Sequence, residues 1–365
     1  MIEFARCEFI QASDLSVDVP DMAHAAVGPE THGRRGVADV DDEKFHFSLL
    51  ILTPRIIPKT AQSCGRGELW YTITPMKKTN ISLQFLGTGT SVGVPQIGCR
   101  CKTCTSKDPR DRRRRCGVYV RSGNVGFLID TPPEMRLACC ELGIDRVDAV
   151  VLTHAHMDHV AGFDDVRRFN TLNGTWVECD PAADGANGRT CRCLGKILPC
   201  YAMKETEEAM HRIFPYISAK GGEHGLFRPM IEFHDEDVFE IGDVRLERLP
   251  VEHGFPCCGY LIVNSEQRTG NRCGGMAYIS DCHVIPEETL AKIRGVDTLI
   301  INCLRERPHP THLNLEQALA YISRIAPRRA FLTHLCHDFT HEEWLKKLPA
   351  GVEPAFDGLV LTTDD

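Results

Sequence analysis

The sequence predicts an α/β protein with mixed sheets, its chemistry carried on loops that leave buried strands. Three observations support this. From Ile81 onward, short apolar runs alternate with helix-like stretches, the pattern of strand–helix units. The run from Val238 to Leu249, broken by Ile241-Gly242-Asp243, reads as a hairpin, so antiparallel pairs occur alongside parallel ones. The apolar stretch Val147-Asp148-Ala149-Val150-Val151-Leu152 leads directly into Thr153-His154-Ala155-His156-Met157-Asp158-His159. That places an HxHxDH cluster on the loop after a buried strand, where α/β enzymes keep their chemistry.

The elements follow in order. Ile81 to Leu86 is strand-like. Further strands are expected at Val125 to Asp130, Asp148 to Thr153, Leu198 to Ala202 and the Val238 to Leu249 hairpin. Gly259 to Val263, Met276 to Ser280, Thr298 to Asn302, Ala330 to Thr333 and Leu359 to Leu361 complete the set. Helices are expected at Pro133 to Leu142, Lys204 to Ile213, Pro286 to Arg294 and Leu315 to Ile325. The last starts at Asn314 with Gln317 three residues on, a capping-box arrangement. Thr340-His341-Glu342-Glu343 opens a further helix that contains Trp344 and Leu348 in the same way.

The 365 residues suffice for one large domain or two ordinary ones. Residues 1 to about 75 are polar and irregular, with an acidic stretch from Asp39 to Glu43. They read as a poorly ordered N-terminal extension, and 76 to 365 as the folded domain, with Met76 a candidate native start. The Gly- and Cys-rich stretch of about 173–193 reads as a loop insertion. A formal charge of -8 gives no general attraction to nucleic acid or an anionic membrane. No apolar run approaches the roughly 20 residues that span a bilayer, and no basic, apolar signal segment opens the chain. A cytoplasmic location without membrane partners is expected, with a homodimer left open. Eighteen cysteines in such a chain argue for thiols and metal ligands rather than disulfides. Scattered ones such as Cys139, Cys140, Cys257 and Cys258 read as small buried hydrophobes.

His154 and His156 alternate along an extended segment and can point the same way, whereas Asp158 and His159 lie beyond a turn. Ligands split in this way suggest two ions, each needing about three protein ligands. His253, Asp281 and His334 each follow a strand candidate and can supply the rest. A second cluster, Cys99-Arg100-Cys101-Lys102-Thr103-Cys104, offers three soft thiolates within six residues and favours Zn. Arg110 to Arg115 is a basic run that reads as a solvated loop, with a phosphate-binding role as the competing reading.

The HxHxDH motif with the later His253, Asp281 and His334 resembles the metallo-β-lactamase superfamily. Gly87-Thr88-Gly89-Thr90-Ser91, Pro95, the Cys99-Cys101-Cys104 cluster and the block His312 to Gly358 are similar to its PhnP-type phosphodiesterase branch. That branch is a sister of the transfer-RNA 3′-processing endonucleases. The resemblance spans about Ile81 to Leu361. It implies an αββα sandwich of two mixed sheets flanked by helices, with the site at one edge. It also implies that His154, His156 and His253 hold one ion, that Asp158, His159 and His334 hold another, and that Asp281 bridges them. His337 becomes the fourth ligand of a structural Zn with the three cysteines, and His312 the proton donor.

The expected reaction is hydrolysis of a small, cyclic ribose-phosphate or nucleotide phosphodiester. Hydroxide held between two divalent ions, Zn or Mn, attacks; Asp158 orients it; His312 protonates the leaving oxygen. Three other readings compete: a transfer-RNA 3′-processing endonuclease, a thioester or lactam hydrolase on the same fold, and a non-enzymatic protein. The first usually needs a long Gly/Pro-rich arm, which only the 173–193 insertion could supply, so an RNA partner is not favoured. His312 and the cysteine cluster argue against the second, and the complete ligand set against the third.

Overall fold

Apolar residues on alternate positions of the strands gather into one central layer between two sheets. The computed structural model describes residues 80–178, 191–218, 228–265 and 274–363. The first seven-stranded sheet runs, in spatial order, Val360–Thr362, Ile81–Gly87, Gly117–Ser122, Val125–Ile129, Ala149–Val151, Leu198–Tyr201 and Ile231–His234. The second, also of seven strands, runs Val352–Pro354, Arg329–Thr333, Thr298–Asn302, Met276–Ile279, Pro256–Asn264, Val244–Glu252 and Val238–Ile241. Each sheet is mixed. Pairing is antiparallel from Val360–Thr362 to Val125–Ile129 and parallel from there to Ile231–His234. In the second sheet the strands from Met276–Ile279 to Val352–Pro354 are parallel and the others antiparallel.

The period of two along a strand decides which layer each side chain joins. Ile81, Leu83, Phe85, Phe127, Ile129, Ala149 and Val151 of the first sheet meet Leu246, Tyr260, Ile262, Met276, Tyr278 and Ile300 of the second. The intervening Leu86, Leu128, Val150 and Leu152 turn outward onto a cluster with Met135, Ala138, Met210 and Phe169 from helices. On the far side Leu299, Ile301 and Leu332 pack with Leu290, Ala318, Ile325 and Trp344 from helices. The result is the expected αββα sandwich. Strands buried on both faces read in sequence as unbroken apolar runs, as at Ala149–Val151 and Thr298–Asn302.

The helices start where their caps predict. Asn314 accepts from Gln317 N while the Gln317 side chain bonds back to Asn314 N, and Thr340 and Glu343 form the same reciprocal pair. Among the described residues no helix is long and apolar enough to cross a membrane.

Three readings change. The insertion is not loop from end to end: Thr175–Glu178 and Cys191–Leu194 pair as an antiparallel ladder, and 179–190 lie outside the described residues. The basic run is not a uniformly solvated loop. Arg113 is 1% exposed, and its guanidinium donates to the backbone carbonyls of Cys336 and Phe339 and to Asp111. A chain of like charges hides such a residue because burial here is decided by a segment more than two hundred positions away. Arg110, Arg114 and Arg115 pair with Asp108, Glu141 and Glu134. Finally, Cys140, read as a small buried hydrophobe, is exposed. The extension read at 1–75 and the start read at Met76 lie outside the described residues.

Candidate metal centre

The His and Asp candidates of the cleft all lie on segments that leave the ends of strands. His154 and His156 follow Ala149–Val151, and the short helix Met157–Val160 carries Asp158 and His159. His253, Asp281 and His334 follow Val244–Glu252, Met276–Ile279 and Arg329–Thr333. The packing of the two sheets thus brings distant segments together at one edge. Two main groups result. His154, His156 and His253 form one, and Asp158, His159, Asp281 and His334 the other, the ligand atoms of each within 4.8 Å of one another; His253, Asp281 and His312 form a third set that overlaps both and meets the same limit.

In the first group His156 Nδ1 lies 3.0 Å from His154 Nε2 and 3.3 Å from His253 Nε2. In the second, Asp281 Oδ1 lies 3.2 Å from His159 Nε2, and Asp281 Oδ2 lies 3.3 Å from His334 Nε2. Asp158 Oδ2 is 3.4 Å from His159 Nε2 and 3.6 Å from His334 Nε2. Asp281 Oδ2 also comes within 3.5 Å of His253 Nε2, so this carboxylate touches both groups. A tetrahedral ion with ligands at about 2.0–2.2 Å separates them by about 3.3–3.6 Å. Most of the donor atoms are at that spacing; His154 and His156 at 3.0 Å, and His159 and Asp281 at 3.2 Å, are slightly closer. His159 Nε2, His334 Nε2 and Asp281 Oδ1 are nonetheless buried without a hydrogen-bond partner. They aim at a common point rather than at one another, and leaving such atoms unsatisfied costs ~1–3 kcal/mol apiece. The residues fit a pair of divalent ions.

A second layer sets the tautomers. Asp130, fully buried, accepts from Thr153 N and Thr153 Oγ1 at 2.8 Å and lies 2.7 Å from His159 Nδ1. Holding Nδ1–H there leaves Nε2 free for a metal. His253 Nδ1 donates to Thr311 O at 2.8 Å with the same effect. Asp130 and His334 adopt φ of 66° and 61°, left-handed values uncommon for residues with a side chain; strain of this kind gathers at functional sites. Burial, then charge on His159, push His154 well below its ordinary value, so its lone pair is available. Burial pushes Asp281 the other way, but His334 and His159 outweigh it and hold the carboxyl well below its usual range.

The ligands open onto a cleft of about 300 Å³ lined by Ser91, His156, Asp158, His253, Phe255, Asp281, Thr311 and His312, among others. His312 Nδ1 is 3.7 Å from Asp281 Oδ2 and 3.4 Å from Asn302 Nδ2. Asn302 also fixes the loop, donating to Ser280 O and accepting from Leu313 N. Burial, then His334, push His312 down to about 2, so the ring is neutral at pH 7.

The cysteine cluster lies apart from the cleft. Cys99, Cys101 and Cys104 Sγ are 3.2, 3.5 and 3.4 Å from His337 Nδ1, and the four ligand atoms could hold one ion. Burial opposes ionisation of Cys101, but hydrogen bonds from the Cys104 backbone and the neighbouring thiols outweigh it and lower the thiol, whereas burial and the thiols of Cys99 and Cys101 push Cys104 up to about 11. A bound cation is needed to hold all three as thiolates. The glycine-rich loop binds the two clusters together. Thr90 N donates to Leu335 O and Leu335 N to Thr88 O, beside His334. Gly89 approaches so closely that a Cβ would stand 2.6 Å from Arg113 O.

All predicted site residues therefore fall into the two clusters or the cleft between their ligands. Asp130, Asn302, Ser91 and Phe255 were not picked out as site residues. Asp130 did carry a signal: a lone acid ending the apolar strand Val125–Ile129. None of the arginines of the basic run lines the cleft, although Arg115 Nε donates to Ser91 O at 3.2 Å.

Comparison with known proteins agrees with the fold. Residues 126–335 match the family described as beta-lactamase superfamily domain. A crystal structure of a diphosphatase from the PhnP family is 34% identical, with a TM-score of 0.64, covering 78% of this chain and 97% of that one. The Zn-bound PqqB of Methylobacterium extorquens, 19% identical with a TM-score of 0.55, shares the fold over 77% of this chain and 99% of its own. Among curated proteins, an octanoyltransferase of Porphyromonas gingivalis is 32% identical over 285 residues, 77% of this chain and 51% of that protein. A ribonuclease Z of Methanopyrus kandleri is 27% identical over 182 residues, 49% of each. The chain spans about half the length of these curated relatives. With its HxHxDH loop, its later His, Asp and His, and its match to a PhnP-family structure over nearly all of that chain, this protein belongs to the metallo-β-lactamase superfamily, in the PhnP branch.

Proposed function

We propose that this protein is a phosphodiesterase that uses two divalent ions, Zn or Mn, to hydrolyse a small, cyclic ribose-phosphate or nucleotide diester. The observation that carries this reading is the gathering of seven ligand candidates into two adjoining groups; four of the seven, His156, Asp158, His253 and Asp281, line one cleft with His312. When bound, such a pair of ions supplies an activated water at neutral pH and offsets the charge of the phosphoryl oxygens. His154, His156 and His253 hold one ion, Asp158, His159 and His334 the other, and Asp281 serves both. Asp158 lines the cleft and orients the attacking water with its carboxylate. His312 is neutral in the resting site and takes up a proton as the anionic substrate enters. With Nδ1 facing Asp281 and Asn302, Nε2 is left to protonate the leaving oxygen. His312 is read as acid and not ligand because His253 and Asp281 are already committed to the ions. Cys99, Cys101, Cys104 and His337 hold a structural Zn, a closed four-ligand site that stabilises and does no chemistry.

The name of the PhnP-family diphosphatase, which is matched over 97% of its length, supports phosphoester chemistry. The octanoyltransferase does not redirect the reading, because this chain matches only 51% of it. The test is a substrate panel at defined metal: cyclic ribose phosphates and nucleotides, bis-p-nitrophenyl phosphate, a precursor transfer RNA and a glutathione thioester. Small diesters should be turned over fastest. Precursor RNA cleaved as fast as the best small diester, or a faster thioester, overturns the proposal.

A further inference from the structure

Phe255 is the one large apolar side chain among the residues that line the cleft; the others are Ser, Thr, Gly, His and Asp. It remains 37% exposed, although transfer of a phenyl ring out of water is among the larger gains available on folding. Its position is not that of a loosely held surface residue. It lies on the turn His253-Gly254-Phe255 that joins Val244–Glu252 to Pro256–Asn264. Gly254 takes φ of 76°, and a Cβ there would reach 3.4 Å from Thr311 Cγ2. His253 Nδ1 is bonded to Thr311 O, and the Phe255 ring centroid lies 5.2 Å from that of His156 at 34°. Two ligand candidates therefore hold this ring in place, at the mouth of a site that otherwise offers only polar groups.

We infer that Phe255 is a specificity-determining residue: its open face stacks on a planar ring of the substrate, so the favoured diester carries a nucleobase. This rests on the diesterase reading above and narrows it from ribose phosphates in general to nucleotides. A flat aromatic face accepts any base, because every base has a π-face, and such stacking is worth enough to dominate a preference between substrates. Hydrogen-bond readout of a particular base is not expected from a phenyl ring, so the preference should be for a base as such and nearly indifferent to which.

The test compares kcat/KM for 2′,3′-cyclic AMP with that for the 2′,3′-cyclic phosphate of 1-O-methylribose, which has the same reacting group and no base. The wild type should favour the nucleotide about 10-fold or more. Phe255→Ala should collapse that ratio towards one. Phe255→Trp should keep it. Phe255→Leu, apolar but without a flat π-face, should not. Bound metal, measured on each variant, separates loss of stacking from disturbance of His156. A short oligoribonucleotide ending in a 2′,3′-cyclic phosphate forms a third arm. If it outruns the mononucleotide, the stacked base belongs to an RNA end; if it does not, to a free nucleotide. A ratio that Phe255→Ala leaves unmoved, or that Phe255→Leu restores, overturns the role of Phe255 while the diesterase reading stands. Hydrolysis of neither cyclic phosphate overturns both.

Discussion

His334 and His337 are separated by two residues, yet the clusters they join differ in ligand type, burial and access. His334 is fully buried and shares its group with Asp158, His159 and Asp281, beside a cleft. His337 is partly exposed and meets three thiols on a loop with no role in the cleft's lining. Carboxylates and imidazoles leave room for an exchangeable oxygen ligand; a Cys₃His set fills a tetrahedron and closes it. The difference teaches how the fold divides labour. One sheet edge gathers candidate ligands beside a cleft, and the adjoining loop carries the Cys₃His set and is fastened by buried Arg113.

Four substitutions can break or sharpen this contrast. The largest effect is expected at Asp281, whose carboxylate touches both ligand groups. Asp281→Ala should abolish turnover and release ions from the cleft while the thiolate-bound ion remains, as read by elemental analysis. His312→Ala should lower kcat by about 10²–10⁴-fold and leave all bound metal in place; a variant that loses an ion would make His312 a ligand instead. Cys101→Ser should act in the opposite sense. Thermal unfolding should fall by about 5–8 °C, the size expected for losing ~3–5 kcal/mol in a domain of this length, with kcat changed far less than in Asp281→Ala. Asp130→Asn, one bond removed from the metal, should cost about 10–100-fold in metal affinity or activity, read by chelator titration.

The smallest effect concerns Asp357, which ties the glycine-rich loop to the C-terminal segment. Its carboxylate accepts from Thr88 Oγ1 and Arg114 N, both at 2.8 Å, and burial pushes it up to about 7. Unfolded, it would ionise near its ordinary value of 3.8. Between those values the folded chain binds a proton that the unfolded chain does not. Its contribution to stability is therefore complete below the lower value and declines as pH rises to about 7, by up to about 1.4 kcal/mol per pH unit. Asp357→Asn should flatten that slope in urea titrations between pH 5 and 7.5. An unchanged slope would show that Asp357 does not set it.

Much of the site was legible because ligands need particular residue types and sit at strand ends, which apolar runs mark. His154, His156, His253, Asp281 and His334 were found in this way. Asp130 and Asn302 were not, because a residue that orients another by one hydrogen bond leaves no spacing rule of its own. Phe255 was missed for a similar reason: only the fold reveals that its ring stays outside the core. The sandwich was anticipated from the resemblance to the metallo-β-lactamase superfamily, which the alternation of strands and helices fits without establishing, and Gly117–Ser122, Ile231–His234 and Val352–Pro354 went unread. The last has three residues and includes a proline, and Gly117–Ser122 follows directly on the arginine run, so local pattern is weak and pairing with neighbours decides. Arg113 shows the same limit for charge, since its burial depends on carbonyls at Cys336 and Phe339.

The most direct test of the two-cluster account is the metal stoichiometry of the purified wild type beside Asp281→Ala and Cys101→Ser. The account predicts two ions in the cleft beyond the one held by thiolates. It further predicts that Asp281→Ala retains the thiolate-bound ion and that Cys101→Ser loses that ion while keeping the cleft pair. A wild type that binds no metal at the cleft, or a Cys101→Ser protein that empties both sites together, would contradict it.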